Sequence, residues 1–147
     1  MTEHSQPLDG QCHCGGVHLR LRLSDGLRTA RRCNCSYCSM RGAVAVSARL
    51  GDLEIVDGQA LLSCYTFGTG TAKHYFCSRC GIYTHHQRRS NPEEYGVNVA
   101  CLAGMSPFDF AEVAVYNGRE HPRDAVGDGY DPLAGTLRYT AHRRDPG

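Results

Sequence analysis

The chain has 147 residues, 41% hydrophobic and 21% charged, and its sixteen Lys and Arg against fifteen Asp and Glu leave a formal charge of +1. That length fits one domain, no run approaches the ~18 apolar residues of a membrane span, and balanced charge offers no net electrostatic reason to bind nucleic acid. Residues 1–9 lack the basic start and apolar stretch of a secretory signal; they read as a flexible leader, and a reducing cytoplasmic setting is expected.

In chain order, Val17–Leu23 is the first clear element. Val17, Leu19, Leu21 and Leu23 alternate with His18, Arg20 and Arg22, the pattern of a strand with one buried face. Ser24-Asp25-Gly26 reads as a turn, and Ser36–Gly42 holds the one hint of a helical turn. Further strands are expected at Ala43–Ala48, Leu53–Val56, Ala60–Phe67, Ala72–Phe76, Ile82–His86, Gly96–Leu102 and Phe108–Tyr116. Asp57-Gly58, between two of them, is a hairpin signal. Short strands at this spacing predict an all-β domain over residues 10–118. Residues 119–147, with three of the six prolines, read as a partly ordered C-terminal extension.

Nine cysteines in a chain without an export signal point to metal binding or catalysis rather than disulfides, and an odd number cannot all pair. Seven fall into three clusters: Cys12-His13-Cys14-Gly15, Cys33-Asn34-Cys35-Ser36-Tyr37-Cys38 and Cys77-Ser78-Arg79-Cys80-Gly81. Zinc takes four ligands at a structural site and commonly three plus an open position at a catalytic one. The first and third clusters, with two sulfurs each, would close a four-cysteine site. The second would offer three sulfurs and an open position. Other divisions bring in His13, His74, His85 or His86, and a single four-cysteine zinc with three idle thiols also stays open. Cys64 and Cys101 lie in apolar strand patterns and are expected to be buried, inert thiols. Most of the eight histidines are expected at the surface, with His74 supporting a metal ligand from outside the coordination sphere.

At these residues the sequence resembles the glutathione-dependent formaldehyde-activating enzyme family, which includes centromere protein V. The family pattern Gly-x-Cys-x-Cys-Gly, Cys-x-Cys-Ser-x-Cys and Phe-Cys-x-x-Cys-Gly matches Gly10–Gly15, Cys33–Cys38 and Phe76–Gly81 in order and spacing. Tyr65-Thr66-Phe67, His74–Cys77, Gly81-Ile82, Arg89–Pro92 and Gly96-Val97 are similar to the centromere-protein-V-like branch. The resemblance implies an Mss4-like β-tent of antiparallel sheets stapled by zinc. It implies two zinc ions, a structural one on Cys12, Cys14, Cys77 and Cys80 and a catalytic one on Cys33, Cys35 and Cys38. It also implies S-hydroxymethylglutathione synthesis from glutathione and formaldehyde, a carbon–sulfur lyase activity.

A three-thiolate zinc suits a soft fourth ligand, and a substrate thiol bound there would be deprotonated. Seven thiolates and two zinc ions would take the formal charge to about −2, so a substrate with two carboxylates would need local positive charge. Arg28, Arg31, Arg32 and Arg41 flank the second cluster, and Arg88 and Arg89 follow the strand after the third. As a group they could supply it. Tyr37, His74, His85 and His86 are the candidate proton donors, and Ser36 is expected only to support its turn. Two other functions compete: a glutathione- or thiol-binding module without turnover, and a macromolecular partner role against which balanced charge weighs.

Overall fold

The computed structural model describes residues 6–119 and 132–142. In chain order the elements are β1 (Leu8–Gln11), β2 (His18–Leu21), β3 (Arg31–Cys33), α1 (Ser36–Arg41), β4 (Ala45–Arg49) and β5 (Leu53–Asp57). There follow β6 (Leu62–Tyr65), β7 (Lys73–Cys77), β8 (Tyr83–Gln87), β9 (Glu94–Asn98), β10 (Glu112–Tyr116) and β11 (Leu133–Arg138). The strands build a three-stranded sheet, β1-β2-β5, and an eight-stranded one, β11-β10-β3-β4-β9-β8-β7-β6. The all-β expectation holds, and the six-residue α1 is the one α-helix among the described residues. Every strand pairing is antiparallel except β3 with β10, which is parallel and sets Cys33 beside Tyr116.

The alternation of β2 explains how the small sheet attaches. Val17, Leu19, Leu21 and Leu23 are buried while Arg20 and Arg22 are exposed, as a strand with one covered face requires. The buried row joins Val46, Ala48, Val97, Val99, Leu102 and Val113 in one core. Cys12 and Cys77 belong to that core at 1% and 0% exposure, so the first and third cysteine clusters begin where apolar packing ends. β4 is buried on both faces; its inward Ser47 Oγ accepts a 2.9 Å bond from the buried Arg31 guanidinium.

Several local expectations are corrected. Asp57-Gly58 does not close a hairpin, because β5 pairs with β2 while β6 pairs with β7 in the other sheet. Gly58 stands there for another reason: at φ +84° its missing Cβ leaves room for the backbone of Gly16, whose carbonyl oxygen such an atom would meet at 1.9 Å. The Gly96–Leu102 segment leaves the sheet after Asn98, whose side chain caps a 3-10 turn over Val99–Cys101. Phe108 lies in a similar turn over Pro107–Asp109, and the strand starts only at Glu112. β1 begins at Leu8, inside the segment read as leader, and β11 pairs with β10 inside the extension. Cys64 is exposed and Cys101 buried, so the expectation of two buried thiols holds for one. Of the six described histidines, His74 and His85 are buried while His13 and His142 are exposed, so the expectation of surface positions fails for His74 and His85.

Candidate metal centres

The first centre joins two tight turns. In one, Gly15 N–H donates to Cys12 O at 3.0 Å; in the other, Gly81 N–H donates to Cys77 O at 2.7 Å. Each ends on a glycine of left-handed backbone, φ +77° at Gly15 and +79° at Gly81. Four sulfurs, from Cys12, Cys14, Cys77 and Cys80, lie within 4.8 Å of one another. The measured separations are 3.6 Å for Cys12–Cys14 and 3.7 Å for Cys14–Cys77. A tetrahedron with 2.3 Å metal–sulfur bonds has edges of about 3.8 Å, so the cluster has the dimensions of a closed four-thiolate site. Backbone N–H groups of Val17, Gly16 and Arg79 point at Cys12, Cys14 and Cys77 sulfurs over 3.3–3.4 Å. Hydrogen bonding, from the Cys14 backbone first, holds the Cys80 thiol down to about 6, which favours its thiolate form.

The second centre is built on one short segment. Cys33 ends β3, Cys35 caps the N-terminus of α1 by accepting from Cys38 N–H at 3.2 Å, and Cys38 lies one turn on. A six-residue helix has little stability of its own; here it is fastened at both ends, at its start by the Cys35 sulfur and at its stop by Gly42 N–H on Cys38 O. The three sulfurs lie within 4.8 Å of one another. Side-chain hydrogen bonds from Cys33 and Cys38 hold Cys35 far down, to about 2, while bonds to Cys33 and then Cys35 push Cys38 up. One thiolate is therefore easily held and three are not, unless a cation takes the place of the shared protons. This soft donor set fits zinc or a similar metal.

The wall of this centre comes from the far end of the domain. Asn34 Oδ1 accepts from Gly118 N–H at 2.8 Å and from Arg119 N–H at 3.2 Å. The backbone at Gly118 then lies so near the sulfurs that a Cβ there would meet Cys33 Sγ at 2.2 Å. Neither contact was legible from spacing.

Arg41, in the last turn of α1, turns inward. One terminal nitrogen donates to Cys38 Sγ at 3.2 Å and the other to His74 Nδ1 at 2.9 Å. Its guanidinium carbon sits 3.7 Å over the Tyr83 ring and 4.9 Å from the Tyr37 ring centre. Because arginine only donates, His74 is neutral and carries its proton on Nε2. Burial, and then Arg41, hold His74 down to about 4, consistent with that form. Arg41 Nε and His74 Nε2 are both buried without a hydrogen-bond partner among the described residues, so the centre keeps polar capacity for a ligand.

The structure thus links His74, through Arg41, to the three-cysteine centre, although in sequence it is next to the third cluster. Tyr37 packs over His74 at 4.5 Å between ring centres, with Tyr65 and Phe67 beyond it. His86 stacks on His74 at 5.2 Å and is bonded to Tyr83 Oη at 2.7 Å. His85 points to the opposite face, stacked on Tyr75 at 4.7 Å, and leaves the set of proton donors. The arginine group also divides. Arg31 is buried against Ser47, and Arg88 is paired with Glu94 at 2.6 Å. Beside α1 a cleft of about 500 Å³ is lined by Tyr37, Met40, Arg41, Phe76, Ile82 and Tyr83, among others.

Among the described residues, no helix is long and apolar enough to cross a membrane. A crystal structure of a Rhodobacter sphaeroides protein, solved by structural genomics, is similar at 60% identity with a TM-score of 0.72, over 73% of this chain and 98% of that one. The family model described as glutathione-dependent formaldehyde-activating enzyme matches residues 7–117, a span that contains all seven clustered cysteines. The chain belongs to the glutathione-dependent formaldehyde-activating enzyme family.

Proposed function

We propose that the protein is a cytoplasmic carbon–sulfur lyase of the S-hydroxymethylglutathione synthase type, with zinc at both cysteine centres. The observation that carries this reading is the difference between the two: four sulfurs of tetrahedral dimensions in one, and three sulfurs with no fourth protein ligand among the described residues in the other. Cys12, Cys14, Cys77 and Cys80 hold the structural zinc, and Cys33, Cys35 and Cys38 the catalytic one. Zinc bound by three thiolates supplies a soft position at which the glutathione thiol is held as its thiolate.

The protein's own residues then do the rest. Cys35 and Cys38 are fixed by the first turn of α1, where Cys35 Sγ accepts from Cys38 N–H, so the sulfurs would be held in place for the ion. Tyr37, Tyr65 and Phe67 shield one side from water. Addition of the thiolate sulfur to formaldehyde forms one carbon–sulfur bond and leaves an alkoxide, which takes one proton. Tyr37 and His74, which lie on this side of the sheet, are the groups that supply it. The reverse direction returns that proton and breaks the same bond.

Native mass spectrometry under reducing conditions, with and without glutathione, tests this reading. Two zinc ions and a glutathione adduct that disappears in Cys35→Ser are expected, together with glutathione-dependent loss of aldehyde. A single zinc with no adduct would overturn the catalytic centre. Saturable glutathione binding without aldehyde turnover would make the protein a thiol-binding module instead.

A further inference from the structure

The Arg41 side chain is not spent on the surface role its position near a helix end suggests. It is held on four sides: by Cys38 Sγ at 3.2 Å, by His74 Nδ1 at 2.9 Å, over Tyr83 at 3.7 Å and near Tyr37 at 4.9 Å. Tyr83 is itself fixed by bonds to His86 Nδ1 and Gly96 O. Both terminal nitrogens already bond within the protein, which anchors the guanidinium and keeps it from swinging out as a mobile clamp for a substrate carboxylate. Its positive charge is instead placed permanently against one sulfur of the three-cysteine centre.

We infer that Arg41 is a charge-compensating positioning residue that selects an anionic thiolate over a neutral molecule as the fourth ligand of that centre. The inference rests on the open-site reading above and specifies the ligand class that the site takes. A divalent metal on three thiolates has a formal charge of −1, so a thiolate arriving there is an anion joining an anion. A guanidinium on Cys38 cancels that formal charge. At about 5 Å and an effective dielectric near 20, one unit charge changes the binding of an anion by about two orders of magnitude. Partial exposure and salt lower this to about tenfold or somewhat more. A neutral ligand feels little of it. His74 completes the device by accepting the second arm, which keeps the guanidinium plane aimed at the sulfur rather than swinging into the cleft. Arginine suits the task better than lysine, because one planar group reaches both acceptors and stacks on an aromatic face.

The test uses the full-length protein with zinc exchanged for cobalt(II), whose absorption bands report the ligands at each centre. 2-Mercaptoethanol, which binds as thiolate, and imidazole, which binds neutral, are titrated into wild type, Arg41→Gln and Arg41→Lys. The inference expects Arg41→Gln to weaken thiol binding at least tenfold and to leave imidazole within threefold. Arg41→Lys should fall nearer to wild type. Equal weakening of both ligands would reduce Arg41 to a packing residue, and no change in either would remove it from the site; both outcomes overturn the inference. Should Arg41→Gln fail to load the three-cysteine centre while the four-cysteine bands persist, loading by Arg41→Lys supports a charge role and failure of both variants overturns it. A wild-type spectrum that answers to neither ligand overturns the open-site reading itself, which separates the two failures.

Discussion

Replacing Gly118 with alanine tests whether the backbone after β10 forms one wall of the three-cysteine centre. The added Cβ would lie 2.2 Å from Cys33 Sγ, 3.0 Å from Cys35 Cβ and 3.2 Å from Cys35 N. Unstrained nonbonded carbon contacts lie about 3.5–4.0 Å apart, so something must move by more than about 1 Å. The backbone resists, because Gly118 N–H is tied to Asn34 Oδ1 at 2.8 Å and to Tyr116 O at 3.0 Å. The sulfur yields more easily, and a metal–sulfur bond of about 2.3 Å cannot follow a sulfur displaced that far. Overpacking of this kind costs about 1–3 kcal/mol, or roughly 3–9 °C of Tm for a domain of this size. Gly118→Ala is therefore expected to fold, to melt a few degrees lower, and to carry one metal fewer per chain by native mass spectrometry. Gly51→Ala is the control, since nothing lies within 4 Å of its added atom. A Gly118→Ala protein with wild-type metal content and wild-type glutathione binding would refute the argument.

The two centres should also differ in what their loss does to the fold. Cys77 is fully buried in the core and Cys35 only half-buried outside it, so Cys77→Ser should prevent cooperative folding while Cys35→Ser should melt within a few degrees of wild type. Comparable melting of the two variants in calorimetry would argue that the four-cysteine centre is no staple. Acid sensitivity follows from His85, which burial holds down to about 4 against about 6.5 in an unfolded chain. Between those values the unfolded state binds the extra proton, so this contribution is complete above about pH 6.5 and is lost as pH falls toward 4. The loss from pH 7 to pH 5 is about 2 kcal/mol. His85→Gln should flatten urea-measured stability over that interval by this amount, and an unchanged slope would count against the buried neutral ring.

What could be read from the sequence was local. The two cysteine groups were legible because each cluster is a short turn whose spacing brings its own sulfurs together, and β2 was legible because one face is covered and the other wet. β1, β3 and β11 were not. Leu-Asp-Gly-Gln and Arg-Arg-Cys are too short to show a period, and all six residues of β11 are exposed, so burial imprints no alternation there. Asp57-Gly58 announced a turn correctly but could not say which sheet the next strand would join. The meeting of Arg41 with His74, 33 residues on, depends on how β7 aligns beside α1. No residue spacing encodes that. The same holds for Gly118, whose glycine is required by a sulfur more than eighty residues earlier.

The parallel pairing of β3 with β10 has a consequence for the order in which the molecule assembles. The Cys14–Cys77 contact spans 63 residues and the Asn34–Gly118 contact spans 84, both long closures that slow folding relative to local contacts. On a ribosome adding about 5–20 residues per second, Gly118 follows Cys80 by about 2–8 s. All seven clustered thiols are thus available to metal before β10 arrives. During that interval the nascent three-cysteine turn is uncovered, and an ion bound to it would be open to exchange with surrounding thiols. Docking of β10 then brings Gly118 against Cys33, so an ion held there would be enclosed only at that stage. In this fold the completion of the three-cysteine centre and the completion of the sheet are one late event.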